Sequence, residues 1–164
     1  MREIILIVHN VRSIYNVGAL LRTAEGLGVE VYLTGYTPYP AITNDPRLPH
    51  ISTKISRQIT KTSLGAEKTL HFSQSNNVTE VVRRLKSKGF TVAALEQTAE
   101  AIDLHRYQPP DKLALIVGRE VEGIEPEVLK KADVVLAIPM SGEKESFNVS
   151  AAAAMALYHL KFAK

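Results

Sequence analysis

The stretch "LALIVGREVEGIEPEVLKKADVVLAIPM", residues 113–140, holds two short apolar runs joined by a glycine loop and a segment containing Pro126. "LALIVG" (113–118) and "VVLAIP" (134–139) are nearly continuous in Val, Ile, Leu and Ala, as expected of strands covered on both faces. Pro126 suits the first turn of a short helix running to about Lys131, because a first-turn residue needs no backbone N–H partner. Strand, loop, helix and strand in immediate succession predict a parallel α/β unit.

The same grammar extends outward from this stretch. "EIILIVH" (3–9), "VEVYLTG" (29–35), "TLHFS" (69–73) and "TVAALEQ" (91–97) read as further strands. Between them, Val17, Leu20, Leu21, Ala24 and Leu27 fall on one helical face with Gly28 as a stop. Val78, Val81, Val82 and Leu85 repeat the pattern, with Gly89 ending it. The fold class predicted is α/β, a mostly parallel sheet flanked by helices. Residues 36–63, with Pro38, Pro40, Pro46 and Pro49, read as one long irregular insertion, a kind of loop that is often functional.

The last helix carries two apolar stripes. Val149, Ala152, Ala153, Ala156, Leu157 and Leu160 form one face, and Ala151, Met155, Tyr158 and Phe162 form a second. One face can cover the sheet; the other needs another partner, within the chain or on a second subunit.

At 164 residues the sequence fits one domain of ordinary size. The absence of cysteine excludes disulfides, thiolate metal sites and a cysteine nucleophile, and agrees with a cytoplasmic location. No apolar run approaches the ~18 residues a membrane span needs, so no membrane partner is expected. The five histidines show no metal-ligand spacing, so no metal is expected either. Net charge is only +3, but residues 46–66 carry Arg47, Lys54, Arg57, Lys61 and His50 with no acid at all. That stretch fits a phosphate-binding surface or a solvated helix and loop.

Several chemistries are missing. The segment after the first strand does not match the G-x-G-x-x-G dinucleotide fingerprint, and there is no phosphate loop of the G-x-x-x-x-G-K-[ST] type. No G-x-S-x-G elbow supports Ser146 or Ser150 as a nucleophile. The glycine loop "GREVEG" (118–123) carries Glu120 and Glu122, which would repel a phosphate and suit a ligand bearing positive charge.

Three polar clusters remain, Asn10 to Arg22, Gly118 to Gly123 and Ile138 to Ser150, each after a predicted strand, where parallel sheets bind ligands. Together they resemble the SpoU/TrmH-type RNA ribose 2′-O-methyltransferases of the SPOUT superfamily. The resemblance rests on Asn16 and Arg22 in "NVRSIYNVGALLRTAEGLG", on "LALIVGREVEGI" with "VVLAIPM", and on "SFNVSAAAAMALYHL", so it spans residues 10–160. Phe147 stands where the family commonly has leucine.

The resemblance implies a C-terminal deep trefoil knot, S-adenosyl-L-methionine as cofactor, a homodimer, and transfer of methyl to a ribose 2′-hydroxyl of tRNA or rRNA. It also implies one methyltransferase domain over 1–164 without an appended RNA-binding domain. The candidate catalytic residues are Arg22, Asn16, Glu120, Ser146 and Asn148. The candidate cofactor-binding residues are Leu95, Gly118, Gly123, Ile138, Met140 and Phe147. Asn16 orients the ribose or Arg22, or caps a helix; Glu120 braces the glycine loop or pairs with an arginine; Ser146 and Asn148 complete the rim or cap the last helix. With a pKa above ~12, the Arg22 guanidinium is a poor free base, which favours a positioning and electrostatic role. The alternative reading is an RNA-binding protein of the same fold without catalysis.

Overall fold

A computed structural model describes residues 2–163. Seven strands form one fully parallel sheet: β1 (Glu3–His9), β2 (Glu30–Thr34), β3 (Phe72–Ser75), β4 (Thr91–Leu95), β5 (Ile102–Asp103), β6 (Lys112–Val117) and β7 (Val134–Ala137). Their spatial order is β3-β2-β1-β6-β4-β7-β5. After β4 the chain moves to the far edge as β5. It then returns twice to interior positions, β6 between β1 and β4, and β7 between β4 and β5.

The continuous apolar runs are continuous because both faces are covered. Along β1, Ile4, Leu6 and Val8 enter one core while Ile5 and Ile7 enter the other. The first core is roofed by α1 (Ile14–Leu27) and α5 (Val149–Phe162), through Leu20, Leu21, Leu157 and Leu160. The second is roofed by α3 (Val78–Ser87) and the short α4 (Pro126–Leu129), through Val81, Val82, Leu85 and Val128. Ala153 and Ala156 have no exposed surface and share the first core with Leu20 and Leu21, so the small side chains of α5 accommodate close packing. No helix among the described residues is long and apolar enough to cross a membrane.

Two expectations need correction. The insertion 36–63 is not irregular throughout, since Pro49–Ser63 is a helix, α2. Its buried side chains are Ser52, Ile59 and Ser63, which leave little apolar signature in the sequence. The loop before it is pinned by Arg47, which donates to Asp45 and to the carbonyls of Tyr39 and Pro40, and stacks 3.6 Å from the Tyr39 ring centroid. Arg47 is therefore occupied within the loop. The third strand begins at Phe72 rather than Thr69. Ahead of it, a 3₁₀ turn at Ala66–Lys68 is tied to α2 by Glu67, which accepts from the hydroxyls of Thr60 and Ser63.

α2 lies on α1 at Gly18. A Cβ there would stand 2.1 Å from Thr62 Oγ1 and 2.5 Å from the Ile59 carbonyl oxygen. The second contact is backbone, so the helices themselves would have to separate. Gly18→Ala is expected to cost about 1–3 kcal/mol in denaturant melts, the usual range for overpacking. A variant as stable as the wild type would show that this crossing is loose.

Candidate active site

Strands β4, β6 and β7 stop side by side, and their C-terminal ends open on a cleft of about 270 Å³. Leu95, Val117, Ala137, Ile138, Phe147 and Val149 give it apolar walls, while Glu96, Glu120 and Glu145 line it with carboxylates. Leu95, Gly118, Gly123, Ile138 and Phe147 of the cofactor-binding set all line this cleft. Met140 is not among its lining residues, although it lies two positions beyond Ile138.

The glycines serve the loop before they serve a ligand. A Cβ on Gly118 would meet Ile124 Cγ1 at 2.6 Å, and Gly123 adopts φ +68° with the Glu96 carboxylate where a Cβ would go. Glu96 holds the loop by accepting from Ile124 N at 2.8 Å, and its other oxygen accepts from Gln97 N. Gln97 Nε2 in turn donates to the Ile138 carbonyl, tying the end of β4 to the segment after β7. No local pattern points to Glu96, whose partner lies 28 residues away.

Glu120 braces more than its own loop. It accepts from Ser13 N at 3.0 Å, from Arg12 N at 3.3 Å and from Asn16 Nδ2 at 3.1 Å. Asn16 Oδ1 accepts from Asn148 Nδ2 at 3.2 Å. A chain of side chains, Glu120 to Asn16 to Asn148, thus joins all three polar segments at the rim of the cleft. Burial alone would raise the Glu120 pKa, but the hydrogen bonds from Asn16, Ser13 and Arg12 outweigh it and hold the carboxyl below its ordinary range. Glu120 is therefore an anion at neutral pH, with both of its oxygens accepting hydrogen bonds.

The capping alternatives resolve in opposite ways. Ser13, not Asn16, caps α1, its hydroxyl accepting from Asn16 N. Asn148 does cap α5, accepting from Ser150 N at 2.9 Å, while also donating to Asn16. Ser146 lines the cleft and is exposed, and Phe147 is 41% exposed at its mouth. Arg22 stands apart. It is exposed on α1 in a shallow depression with Thr23, Gly26, Leu27, Ala154 and Tyr158, outside the cleft.

A second polar cluster lies behind the loop. His9 is buried, with Nδ1 2.9 Å from Thr34 Oγ1 and Nε2 3.3 Å from Glu125 Oε2. Asn10, at φ +56°, donates to Glu125 Oε1 at 2.7 Å and accepts from Tyr36 N. Desolvation lowers the His9 pKa, and the opposing pull of Glu125 does not restore it. The unfolded chain therefore binds a proton that the folded one refuses. Stability is expected to fall as pH drops below about 6.5, above the range where carboxylates titrate. His9→Gln should flatten urea-melt stability between pH 7 and 5; an unchanged slope would assign it elsewhere. Among the described residues, no group of three or more His, Asp and Glu side chains is placed to hold a metal ion.

The SpoU rRNA Methylase family model matches residues 3–158. A tRNA (guanosine(18)-2′-O)-methyltransferase of Aquifex aeolicus is 28% identical over 157 residues, covering 96% of this chain and 68% of that protein. The 23S rRNA (guanosine-2′-O-)-methyltransferase RlmB of Neisseria meningitidis is 28% identical over 154 residues, covering 94% of this chain but 56% of the relative. The chain thus spans between about half and two thirds of these curated relatives. The crystal structure of the A. aeolicus TrmH/SpoU tRNA modifying enzyme superposes with a TM-score of 0.80 at 25% identity, covering 98% of this chain and 75% of that one. A structure concerned with 2-OH methylation of C/U34 on tRNA shares the fold at a TM-score of 0.78 and 22% identity, covering 97% and 94% of the two chains. With the family model spanning nearly the whole sequence, the chain belongs to the SpoU rRNA Methylase family.

Proposed function

We propose that this protein transfers a methyl group from S-adenosyl-L-methionine to a ribose 2′-hydroxyl of tRNA or rRNA. The observation that carries this reading is the Glu120–Asn16–Asn148 chain at the mouth of a carboxylate-lined cleft. The residues fit the cofactor: apolar walls at Leu95, Val117, Ile138 and Phe147 suit an adenine, and the acids at Glu96, Glu120 and Glu145 suit a cation lacking phosphates. When bound, the cofactor supplies a methyl group already activated by a positively charged sulfur.

The protein's own part is alignment, which can supply much of the rate in such a transfer. Glu120 fixes Asn16 and the entry of α1 against the glycine loop, while Asn148 fixes Asn16 from the opposite side. Glu120 is poorly suited to take the hydroxyl proton, because its hydrogen bonds hold its pKa below the ordinary carboxyl range and make it a weak base. Arg22 holds the target phosphate and ribose, with substrate phosphate or solvent accepting the proton.

Arg22 lies outside its own chain's cleft, and a second copy of the chain would offer it another. Its depression is shared with Tyr158 of α5, and the second stripe of α5 is uncovered, with Met155, Tyr158 and Phe162 at 39%, 64% and 52% exposure. Apolar surface of this kind favours a homodimer packed through α1 and α5. The two returns of the chain into the sheet favour a trefoil knot threaded by the segment before α5. Residues 1–164 act in this reading as one domain carrying both cleft and RNA surface.

Incubation with methyl-labelled S-adenosyl-L-methionine and total cellular RNA tests the proposal. Label is expected at ribose 2′-oxygens; cofactor binding with no transfer to RNA would reduce the protein to a binding module.

A further inference from the structure

The acid-free stretch of the sequence is a helix whose outer face has no role in the fold. His50, Lys54, Arg57 and Lys61 follow one another at spacings of four, three and four along α2, and all four are exposed. α2 contains no acidic residue, and none of these four side chains has an ion-pair partner among the described residues. Together with Thr53 and Gln58 they line a shallow groove. A solvated helix face of this length ordinarily mixes both signs, because isolated like charges at such spacings repel one another.

The ridge is aimed. Its Lys61 end is fastened to the start of α1 by Thr62 Oγ1, which donates to the Tyr15 carbonyl at 2.9 Å, one residue before Asn16. From there the ridge extends for roughly 16 Å to His50, at 1.5 Å of helix rise per residue. The close approach at Gly18 prevents α2 from sliding on α1.

We propose that this face of α2 is a track for the RNA phosphate backbone, leading the strand away from the target nucleotide at Asn16. The inference rests on the methyltransferase reading and adds the surface that holds the substrate. Lys54, Arg57 and Lys61 neutralise successive phosphates, an interaction independent of sequence and sensitive to salt.

The test compares wild type with a Lys54→Gln/Arg57→Gln/Lys61→Gln variant, in which glutamine preserves helix propensity. An Arg83→Gln/Lys88→Gln/Lys131→Gln control removes as much charge from the opposite layer. RNA affinity, its dependence on salt and binding of S-adenosyl-L-methionine are measured for each. The α2 variant is expected to bind RNA at least about tenfold more weakly, with the slope of log affinity against log salt reduced by about 2, and to bind cofactor normally. The control should lose far less. A Lys54→Gln/Lys61→Gln pair provides the same readout, with a smaller loss, if the triple variant fails to fold. Equal loss in the control, or wild-type affinity in the α2 variant while wild type methylates RNA, would overturn the track and leave the activity standing. Wild-type protein that binds cofactor but no RNA would overturn both. Polyglutamate bound as tightly as RNA through the same residues would assign the ridge to an acidic protein instead.

Discussion

Arg22→Ala is expected to lower methyl transfer by about 10²–10³-fold, the usual cost of removing one preorganised donor at a developing charge. Cofactor affinity should stay within about twofold of wild type, because Arg22 lines no part of the cleft and makes a difference only when substrate is held. Loss of cofactor binding would sink this placement. Arg22→Lys should recover little of the rate, since a lysine keeps the charge but not the planar fork that grips a phosphate. The position of Arg22 makes a sharper demand. It sits six residues beyond Asn16, about 9 Å along the axis of α1, on the face shared with Tyr158 rather than at the cleft. If each working site combines one subunit's cleft with the other's Arg22, mixing Arg22→Ala chains with cleft-defective chains should restore activity. Random mixing gives half heterodimers with one working cleft in two, about a quarter of wild-type activity. No recovery from demonstrably mixed dimers would place Arg22 in its own subunit's site.

The parts of the fold legible in the sequence were those governed by periodicity. The apolar runs of β1 and β6 announced a sheet buried on both faces, and the two stripes of α5 separated into the buried Ala153–Leu157–Leu160 face and the exposed Met155–Tyr158–Phe162 face. α2 was legible only as one reading of the acid-free stretch, a solvated helix, because its inward face is made of Ser52, Ile59 and Ser63. Gly18 meets Ile59, Thr62 and Ser63 closely, and Ser52 and Ser63 are residue types that read as solvent-facing. The site was legible where a residue type was unusual for its position, as with Glu120 inside a glycine loop. It was illegible where its meaning depended on a distant partner. Glu96 braces residues 123 and 124, and Asn10 reaches Glu125, contacts that no local spacing encodes. Asn16 suits a cap by residue type, but the helix begins at Ile14, so the cap position falls to Ser13.

Glu120→Gln should reduce methyl transfer by about 30-fold, the equivalent of about 2 kcal/mol for one charge-assisted hydrogen bond lost. The substitution is nearly isosteric, so its effect comes from the donor count. Three N–H groups converge on the two oxygens of Glu120, whereas glutamine offers one oxygen and turns an NH₂ toward a backbone N–H that cannot accept. With its oxygen in the Oε1 place the glutamine keeps Ser13 N and Asn16 Nδ2 as neutral partners but sets its NH₂ against Arg12 N, so the entry of α1 loses one bond and the charge that strengthened the others. A pH signature separates this from general damage. The folded pKa of Glu120 lies below its ordinary value, so its bracing is complete above the unfolded carboxyl pKa of about 4.3 and is lost as pH falls through the lower folded value. Wild-type stability should therefore carry an acid limb that Glu120→Gln lacks in part. Asn16→Ala should cost a similar factor, and the double variant should cost little more than either single one, because the two side chains act as one unit. Additive losses would show that Glu120 and Asn16 serve the reaction separately, and that the hydrogen bond between them is incidental to it.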